Sequence, residues 1–256
     1  MLESNMNFDS VHPSHRGPNT VHMTRCLVAG LIVDTGHRKV LDLPCGSGAL
    51  TQMLLDKGLE VISADINPSN FIVPGRVAVY ADLNARLPFA DAEFNVVACI
   101  EGIEHIENPH LLAREANRVL QTGGKIYIST PNVLSIRSRL SYLLRGYPDQ
   151  FHFMIDVDSA TGKERPIAHI NPVGFLELRY SLSRWGLRVD EVRTNRYLKK
   201  GSLFYKLLRA ILQTRGKRSA ATHPAVSEVR RRLLSDEVLF GEALVLGATK
   251  VTDCRR

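Results

Sequence analysis

The chain has 256 residues, of which 44% are hydrophobic and 23% are charged, and its formal net charge is +7. This composition is close to the average for soluble globular proteins, which excludes a disordered or fibrous chain, and the length suits one large domain. The apolar runs are too short to cross a bilayer and no basic-then-apolar leader opens the sequence, so we expect a cytoplasmic protein.

Short runs rich in β-branched residues predict the strands of a sheet. Most of them lack a regular alternation of apolar and polar residues, which is typical of strands that are buried on both faces. We expect the segment before the first strand, residues 1–37, to cap the domain. The predicted strands are residues 39–43, 60–66, 76–81, 94–100, 125–129, 187–192 and 242–251.

Helical patterns separate several of these strands, and their ends carry capping residues. Gly58 is suited to end the first helix, and Asn108 followed by Pro109 is a typical helix start, which Asn171 and Pro172 repeat later. Strands alternating with helices predict a doubly wound α/β fold with right-handed crossovers. The predicted helices are residues 49–57, 109–120, 133–144 and 173–185.

Two segments interrupt this pattern. Residues 146–170 are polar with little periodicity and are predicted to form a lid, whereas residues 196–238 form a basic helical insertion between the last two strands. The main domain is therefore predicted to comprise residues 38–195 and 239–252.

The basic insertion, residues 196–238, carries eleven Lys and Arg against three Asp and Glu, a local charge of +8, while the rest of the chain is at −1. Apolar residues at helical spacing beside cations are typical of a helix in a membrane interface, so we expect peripheral docking on the anionic inner face of a membrane. Alternatively, the stripe packs on the domain, or the cations bind RNA, although few aromatic residues are interleaved with them. The stripe is Leu203, Phe204, Leu207, Leu208, Ile211 and Leu212, beside Lys199, Lys200, Lys206 and Arg209.

A glycine-containing turn, VLDLPCGSG at residues 40–48, follows the first predicted strand. Glycine lets the backbone approach a ligand closely at the carboxyl edge of the sheet, where open α/β folds bind their ligands. Asp65 ends the second strand, where a carboxylate can accept hydrogen bonds from two ribose hydroxyls. Asp82 and Leu83 end the third strand. Polar groups on three successive strand ends predict a ligand site.

These segments resemble the motifs of class I S-adenosylmethionine-dependent methyltransferases of types 11 and 12. VLDLPCGSG resembles motif I, VISADINPS the acidic motif and VAVYADLN the adenine-contacting motif, while FNVVACIEGIEHIENP and LQTGGKIYISTPN resemble the fourth- and fifth-strand motifs. The match covers roughly residues 38–132. It implies a single Rossmann-like domain whose seven-stranded sheet is mostly parallel, with the last strand antiparallel.

The resemblance also implies which residues bind S-adenosylmethionine. Asp42 and the backbone of the glycine turn would hold the methionine part, Asp65 the ribose, and Asp82 with Leu83 the adenine. Pro44 stands where the family usually has glycine, which removes one backbone donor and fixes φ. The expected cofactor-binding residues are Asp42, Leu43, Pro44, Gly46, Gly48, Asp65, Ile66, Asp82, Leu83 and Ile100. A dinucleotide-binding dehydrogenase, the competing use of this fold, needs a third glycine where this chain has Thr51.

The sequence EGIEH follows the fourth strand. If this segment turns helically, Glu101, Glu104 and His105 share one face, and two carboxylates with an imidazole suit Mg, Mn, Fe or Zn. The alternative is that Glu104 and His105 cap the segment. Without a metal, His105 is the expected general base, because the ordinary pKa of histidine is about 6.5.

The E-x-x-E-H pattern with a distant histidine resembles two families of O-methyltransferases. These are the quinone-biosynthesis enzymes that act on catechol hydroxyls and the small-RNA enzymes that act on a 3′-terminal ribose 2′-hydroxyl. The resemblance implies a divalent cation that binds the acceptor oxygen, with Glu101, Glu104, His105 and His169 as ligands. His105, His169 and the reserve residue His152 are the catalytic candidates.

We therefore expect methylation of a hydroxyl on a small or lipid-linked acceptor. The alternatives are 2′-O-methylation of RNA and a binding protein that keeps the fold without catalysis. The filled cofactor positions argue against the last of these.

Overall fold

The structure, a computed structural model, describes residues 20–151, 155–157, 161–166, 169–198, 201–217 and 223–253. Within these ranges it has eight α-helices and nine strands. The helices are α1 (Thr20–Asp34), α2 (Ala49–Leu55), α3 (Pro109–Val119), α4 (Ile136–Arg145), α5 (Phe175–Arg184), α6 (Leu203–Lys217), α7 (Pro224–Leu233) and α8 (Asp236–Phe240). The strands are β1 (Lys39–Asp42), β2 (Glu60–Asp65), β3 (Val79–Tyr80), β4 (Phe94–Ile100), β5 (Leu120–Pro131), β6 (Ile155–Val157), β7 (Glu164–Pro166), β8 (Leu187–Thr194) and β9 (Ala243–Lys250).

Seven strands form one sheet in the order β3-β2-β1-β4-β5-β9-β8. β1 pairs in parallel with both β2 and β4, and β9 is antiparallel to its neighbours β5 and β8. β2 and β3 lie on one side of β1, whereas β4 and β5 lie on the other. Open α/β sheets bind ligands at such a reversal of strand order, beyond the carboxyl ends of the strands. The predicted fold class is confirmed, including the antiparallel last strand.

β1 is buried on both faces because helices cover each side of the sheet. Val40 packs in a cluster with residues of α1 and α2, whereas its neighbour Leu41 packs in a second cluster with residues of α3 and α5. Successive strand residues point to opposite faces, so an uninterrupted apolar run is what a sheet between two helical layers requires. The segment before β1 thus contributes α1 to one of these layers.

The third strand is shorter than predicted. The sequence predicts a buried strand over residues 76–81, but only Val79 and Tyr80 pair with β2, and Val79 is 39% and Tyr80 62% exposed. This strand lies at the edge of the sheet, so no neighbour covers its outer side. The prediction of a buried strand was wrong there.

Two helices begin later than the predicted residues 133 and 173. α4 begins at Ile136, because the Ser135 hydroxyl accepts from the amide of Ser138 and acts as the N-cap. α5 begins at Phe175 after Gly174. The side chain of Asn171, the predicted cap, instead donates to the backbone oxygen of Ile106.

The two interrupting segments also have defined structure. In the predicted lid, β6 and β7 pair as an antiparallel hairpin that the sequence did not predict. The basic insertion contains α6, α7 and α8 between β8 and β9. Among the residues the structure describes, no helix combines the length and the apolar character that crossing a membrane requires.

Candidate active site

The glycine turn follows β1 and adopts backbone conformations that favour glycine. Gly46 has φ +52° and Gly48 has φ +90°, both in the left-handed region. A Cβ on Gly48 would lie 2.4 Å from the side chain of Val73 and 2.6 Å from that of Phe71, whereas a Cβ on Gly46 would meet nothing within 4 Å. Gly48 is therefore required by packing, and the backbone at Gly46 leaves space in which a ligand could approach.

Asp65, at the end of β2, links the second strand to this turn. Its Oδ2 accepts from the backbone N–H of Gly46 at 2.8 Å, and its Oδ1 accepts from the N–H of Asn67 at 2.9 Å. The side chain is largely buried, with 7% of the residue exposed. Asp65 thus fixes the turn at the edge where the sequence predicts the ribose to bind.

Asp42 lies beneath the turn and is 1% exposed. Its Oδ2 accepts from the hydroxyl of Thr51 at 2.7 Å, and the Thr51 hydroxyl also lies 2.9 Å from that of Ser63. Burial raises the pKa of Asp42 from its ordinary value of 3.8 to about 7, while the Thr51 hydrogen bond opposes the shift. The carboxyl group therefore supports the turn from below and holds α2 through Thr51.

The raised pKa of Asp42 makes stability depend on pH. Because the folded-state pKa lies above the unfolded value, the folded state retains a proton between about pH 4 and pH 7 that the unfolded chain releases, so this contribution is lost as pH rises. We expect Asp42→Asn to be more stable relative to wild type at pH 8 than at pH 5, by at most about 3 kcal/mol, because about two pH units of the shift lie in this interval.

Urea unfolding of wild type and Asp42→Asn at pH 5 and at pH 8 measures the free energy of unfolding of each protein. The difference between the two proteins at each pH isolates Asp42, because the other titrating groups are common to both. The exposed Asp56, changed to Asn, is the control for the loss of a carboxylate at the surface. A wild-type-to-variant difference that is equal at pH 5 and pH 8 would contradict the raised pKa of Asp42.

Leu43 and Pro44 connect β1 to the turn and pack against the segment after β4. Leu43 is 1% exposed, and its N–H donates to the oxygen of Ala98 on β4. A Cβ on Gly102 would lie 2.5 Å from Cδ of Pro44, so the proline ring fits against a residue without a side chain. Pro44 therefore packs against the turn that leads into the EGIEH segment.

The predicted adenine contacts lie around the end of β3. Oδ1 of Asp82 accepts from the N–H of Asn84 at 2.7 Å, and Leu83 is 8% exposed. Ile66, directly after Asp65, is 52% exposed and presents apolar surface beside the carboxylate. Ile100, the last residue of β4, is 7% exposed.

Three of the four predicted metal ligands come together. Each of Glu104, His105 and His169 offers a ligand atom, and these atoms all lie within 4.8 Å of one another. The two imidazole rings meet edge to face with their centroids 4.9 Å apart, and Glu104 is 0% exposed. We call these three residues the acid-histidine cluster.

Glu101, the fourth predicted ligand, is held separately. Its backbone has φ +54°, an uncommon conformation for a residue other than glycine, and Oε1 accepts from the Ser129 hydroxyl at 2.8 Å. The Glu101 N–H also donates to the Ser129 hydroxyl, at 3.0 Å. Ser129 on β5, which the sequence analysis did not single out, thus fixes both backbone and side chain of Glu101.

Backbone hydrogen bonds place His169 in the cluster. The oxygen of Glu104 accepts from the N–H groups of Ile170 and Asn171, at 2.9 and 3.0 Å. On the other side, Nδ1 of His169 lies 3.3 Å from the backbone oxygen of Gln150. If Nδ1 carries the proton, it donates to this oxygen and orients Nε2 as the ligand atom, as second-shell groups commonly do for metal-binding histidines.

The third catalytic candidate, His152, lies outside the described residues. Its neighbour Phe151 is 1% exposed and its ring lies 5.6 Å from that of His169, between centroids. The segment ending at Phe151 therefore packs directly on the acid-histidine cluster.

Comparison with known proteins agrees with this arrangement. Residues 41–128 match the family described as "Methyltransferase domain". A protein of Idiomarina loihiensis named ubiquinone biosynthesis O-methyltransferase is 33% identical over 105 residues, covering 37% of this chain and 43% of the relative. One of the same name from Xanthomonas oryzae is 31% identical over 112 residues, covering 39% and 46%. The chain thus spans less than half the length of these relatives.

Solved structures resemble the chain over most of its length. A methyltransferase from Archaeoglobus fulgidus described as SAM-dependent superposes with a TM-score of 0.55 at 20% identity, covering 88% of this chain and 94% of that one. The PH0226 protein from Pyrococcus horikoshii gives 0.54 at 16% identity, with coverages of 95% and 98%. At these identities the likeness concerns the fold. Residues 41–128, which carry the glycine turn, Asp65 and the EGIEH segment, are similar to a methyltransferase domain and lie within a fold that S-adenosylmethionine-dependent methyltransferases share.

Proposed function

We propose that the chain transfers the methyl group of S-adenosylmethionine to a hydroxyl oxygen of a small or lipid-linked acceptor. In this reaction the bond from sulfur to the methyl carbon breaks, a bond from oxygen to carbon forms, and the hydroxyl loses its proton. The products are the methyl ether and S-adenosylhomocysteine. The observation that carries the proposal is the acid-histidine cluster after β4, at the same sheet edge as the glycine turn and Asp65.

Different residues at this edge of the sheet would bind the different parts of S-adenosylmethionine. Asp65 would accept hydrogen bonds from the ribose, and the backbone of the glycine turn would approach the methionine part. Asp82, Leu83 and Ile66 would contact the adenine. Holding the acceptor oxygen in line with the bond from the methyl carbon to sulfur lowers the activation free energy, because the reactants are ordered before they react. In favourable cases this effect reaches about 7 kcal/mol or more.

The acid-histidine cluster has the donors that a divalent cation needs. One carboxylate and two imidazoles suit Mn, Fe or Zn in particular, and the Gln150 contact to Nδ1 of His169 provides a second-shell partner. We propose Glu104, His105 and His169 as ligands, while Glu101, whose Oε1 accepts from Ser129, lies outside this group of three. A bound divalent cation would lower the pKa of the acceptor hydroxyl.

Within the chain itself, the cluster residues can position the acceptor and move its proton. His105 lies in van der Waals range of His169 and is the candidate general base where no cation takes part. Glu104 is fully buried, and its position is fixed by the two amides that bind its backbone oxygen. These contacts would keep the acceptor hydroxyl in one orientation toward the methyl group.

The names of the curated relatives favour the small or lipid-linked acceptor. Those relatives act in ubiquinone biosynthesis by name. The match to the methyltransferase family, over residues 41–128, includes Asp65 and EGIEH. A lipid-linked acceptor would bring the chain to a membrane surface, in line with the docking predicted for the basic insertion. The alternative acceptor, a ribose 2′-hydroxyl of RNA, is favoured only by the shared E-x-x-E-H pattern and the local charge of +8.

Defined acceptors distinguish these possibilities. The protein is incubated with methyl-labelled S-adenosylmethionine and, separately, with a catechol carrying an apolar tail, its monohydroxy analogue and a short RNA with a free 3′ end. We expect label in the catechol, because its paired hydroxyls resemble the acceptor of the quinone enzymes. Label in the RNA alone would replace the proposed acceptor with the alternative, and label in none of them would contradict both.

A further inference from the structure

The first helix of the basic insertion, α6, has two apolar faces. Tyr205, Leu208 and Leu212 are half-buried and pack against a cluster formed by α4 and α8. The opposite face stays exposed although its side chains are large and apolar. Its residues are Leu203 (82% exposed), Phe204 (54%), Leu207 (60%) and Ile211 (44%).

Packing on the domain therefore explains only two of the six residues of the apolar stripe predicted from the sequence. Leu208 and Leu212 pack on the domain, whereas Leu203 and Leu207 are exposed. Scattered exposed apolar residues are normal on a protein surface, but a continuous apolar helix face is typical of an interaction site.

The end of α4 adds three further exposed apolar residues, which the sequence analysis assigned to no surface. Tyr142 is 61%, Leu143 77% and Leu144 79% exposed, and the exposed Arg145 follows them. On its other face α4 packs through Ile136 on the same cluster as α6. The two helices thus border one small core and each leaves an apolar surface outside it. We call the exposed residues of α4 and α6 the apolar rim.

The acidic groups of the basic insertion contact side chains of the insertion itself. Glu228 is paired with Arg231 and Arg232, and Asp236 pairs with Arg209 at 2.9 Å. Glu237 accepts from the hydroxyl of Tyr197. Over residues 196–238, Lys and Arg outnumber Asp and Glu by eleven to three, so the segment carries a net positive charge that would attract anionic headgroups.

The apolar rim is joined to the acid-histidine cluster by a short segment. Residues 146–151 follow α4 directly and are held to it, since the N–H of Asp149 donates to the Ser138 hydroxyl and Asp149 pairs with Arg137. In the same segment, the backbone oxygen of Gln150 contacts His169. The exposed end of α4 is therefore connected to the cluster through six residues of chain.

We infer that the apolar rim docks the protein on an anionic lipid surface, so that the end of α4, which leads through residues 146–151 to His169, lies at that surface. Apolar side chains would enter the boundary between headgroups and acyl chains, and the surrounding cations would contact anionic headgroups. The delivery of a lipid-linked acceptor rests on the proposed function, whereas the docking itself does not.

Vesicle co-sedimentation of the full chain, without acceptor or cofactor, tests the docking. We expect binding to vesicles of phosphatidylcholine mixed with phosphatidylglycerol, weaker binding to pure phosphatidylcholine, and a decrease with added salt because charges are screened over about 10 Å at 0.1 M. The pairs Leu143→Ser with Leu144→Ser and Leu203→Ser with Leu207→Ser should each weaken binding about tenfold or more.

Two further variants separate the apolar and ionic contributions. Lys206→Gln should weaken binding to anionic vesicles about fivefold, with little effect on neutral ones. Val77→Ser, at an 86% exposed site near β3 on the opposite edge of the sheet, is the matched control and should bind as wild type does. Circular dichroism and unchanged S-adenosylmethionine affinity confirm that each variant is folded.

Three outcomes would overturn the inference. They are equal sedimentation with neutral and anionic vesicles, wild-type binding by both Leu-to-Ser pairs, and loss of binding only with the cationic change. The last would indicate a phosphate-tracking surface such as one for RNA, because such a surface responds mainly to charge. Since no methyl transfer is measured, failure of the proposed function would leave these results unaffected.

Discussion

Replacing Asp65 with Ala is expected to lower the affinity for S-adenosylmethionine ten- to a hundredfold. A hydrogen bond to a charged group contributes about 1.5 to 3 kcal/mol, which corresponds to that range in affinity. The same change also removes the acceptor for the Gly46 N–H, so the glycine turn loses the bond that fixes it to β2. Both effects act in the same direction, and isothermal calorimetry with the cofactor measures their sum.

Asp65→Asn separates the two effects. Its amide oxygen can still accept from Gly46 N–H, but the side chain no longer carries a charge toward the ribose. We therefore expect an affinity between those of wild type and Asp65→Ala. The exposed Asp56, changed to Ala, is the control for a carboxylate outside the site. Unchanged affinity in Asp65→Ala would show that this carboxylate does not bind the cofactor.

Removing one residue of the acid-histidine cluster is expected to depress methyl transfer about a hundredfold or more while S-adenosylmethionine affinity changes little. The reason is that the cluster would act on the acceptor, whereas Asp65 and the glycine turn hold the cofactor. Glu104→Gln keeps the volume of a fully buried side chain and removes its charge, and His169→Gln removes the imidazole next to Gln150. His110→Gln, an exposed histidine on α3, is the control.

A measurement without turnover tests the metal assignment directly. Titration of metal-free protein with Mn²⁺ or Zn²⁺ should show one site per chain in wild type and in His110→Gln, and a strongly weakened site in Glu104→Gln and His169→Gln. Methyl transfer that survives exhaustive chelation, together with no saturable binding of either cation, would contradict the metal and leave His105 as the general base to be tested.

Much of the fold can be predicted because local signals and burial agree. β4 occupies the predicted residues 94–100, since an uninterrupted apolar run has no alternative to the sheet interior. α3 begins at Pro109 with the Asn108 side chain accepting from Leu111, as its capping signal indicates. Where the predictions failed, tertiary contacts outweighed the local signal: Asn171 binds Ile106, and β3 lies at an edge.

Some residues of the candidate site can likewise be predicted from the sequence, and others cannot. The glycine turn and Asp65 are predictable because their roles depend on strand ends, which the order of elements locates. Ser129 and Gln150 are not, because Ser129 contacts Glu101 across neighbouring strands and Gln150 contributes a backbone oxygen that any residue would supply. Similarly, which residues of the α6 stripe are half-buried and which are exposed depends on α4 and α8, and no pattern within α6 reveals it.

Methyl transfer to native acceptors tests the central claim most directly. The purified chain is incubated with methyl-labelled S-adenosylmethionine and a cell extract that is afterwards separated into lipid, small-molecule and RNA fractions. The account predicts label as a methyl ether in the lipid or small-molecule fraction, dependent on the protein and lost in both Asp65→Ala and Glu104→Gln. Label in no fraction, from protein that binds S-adenosylmethionine, would contradict methyl transfer by this chain.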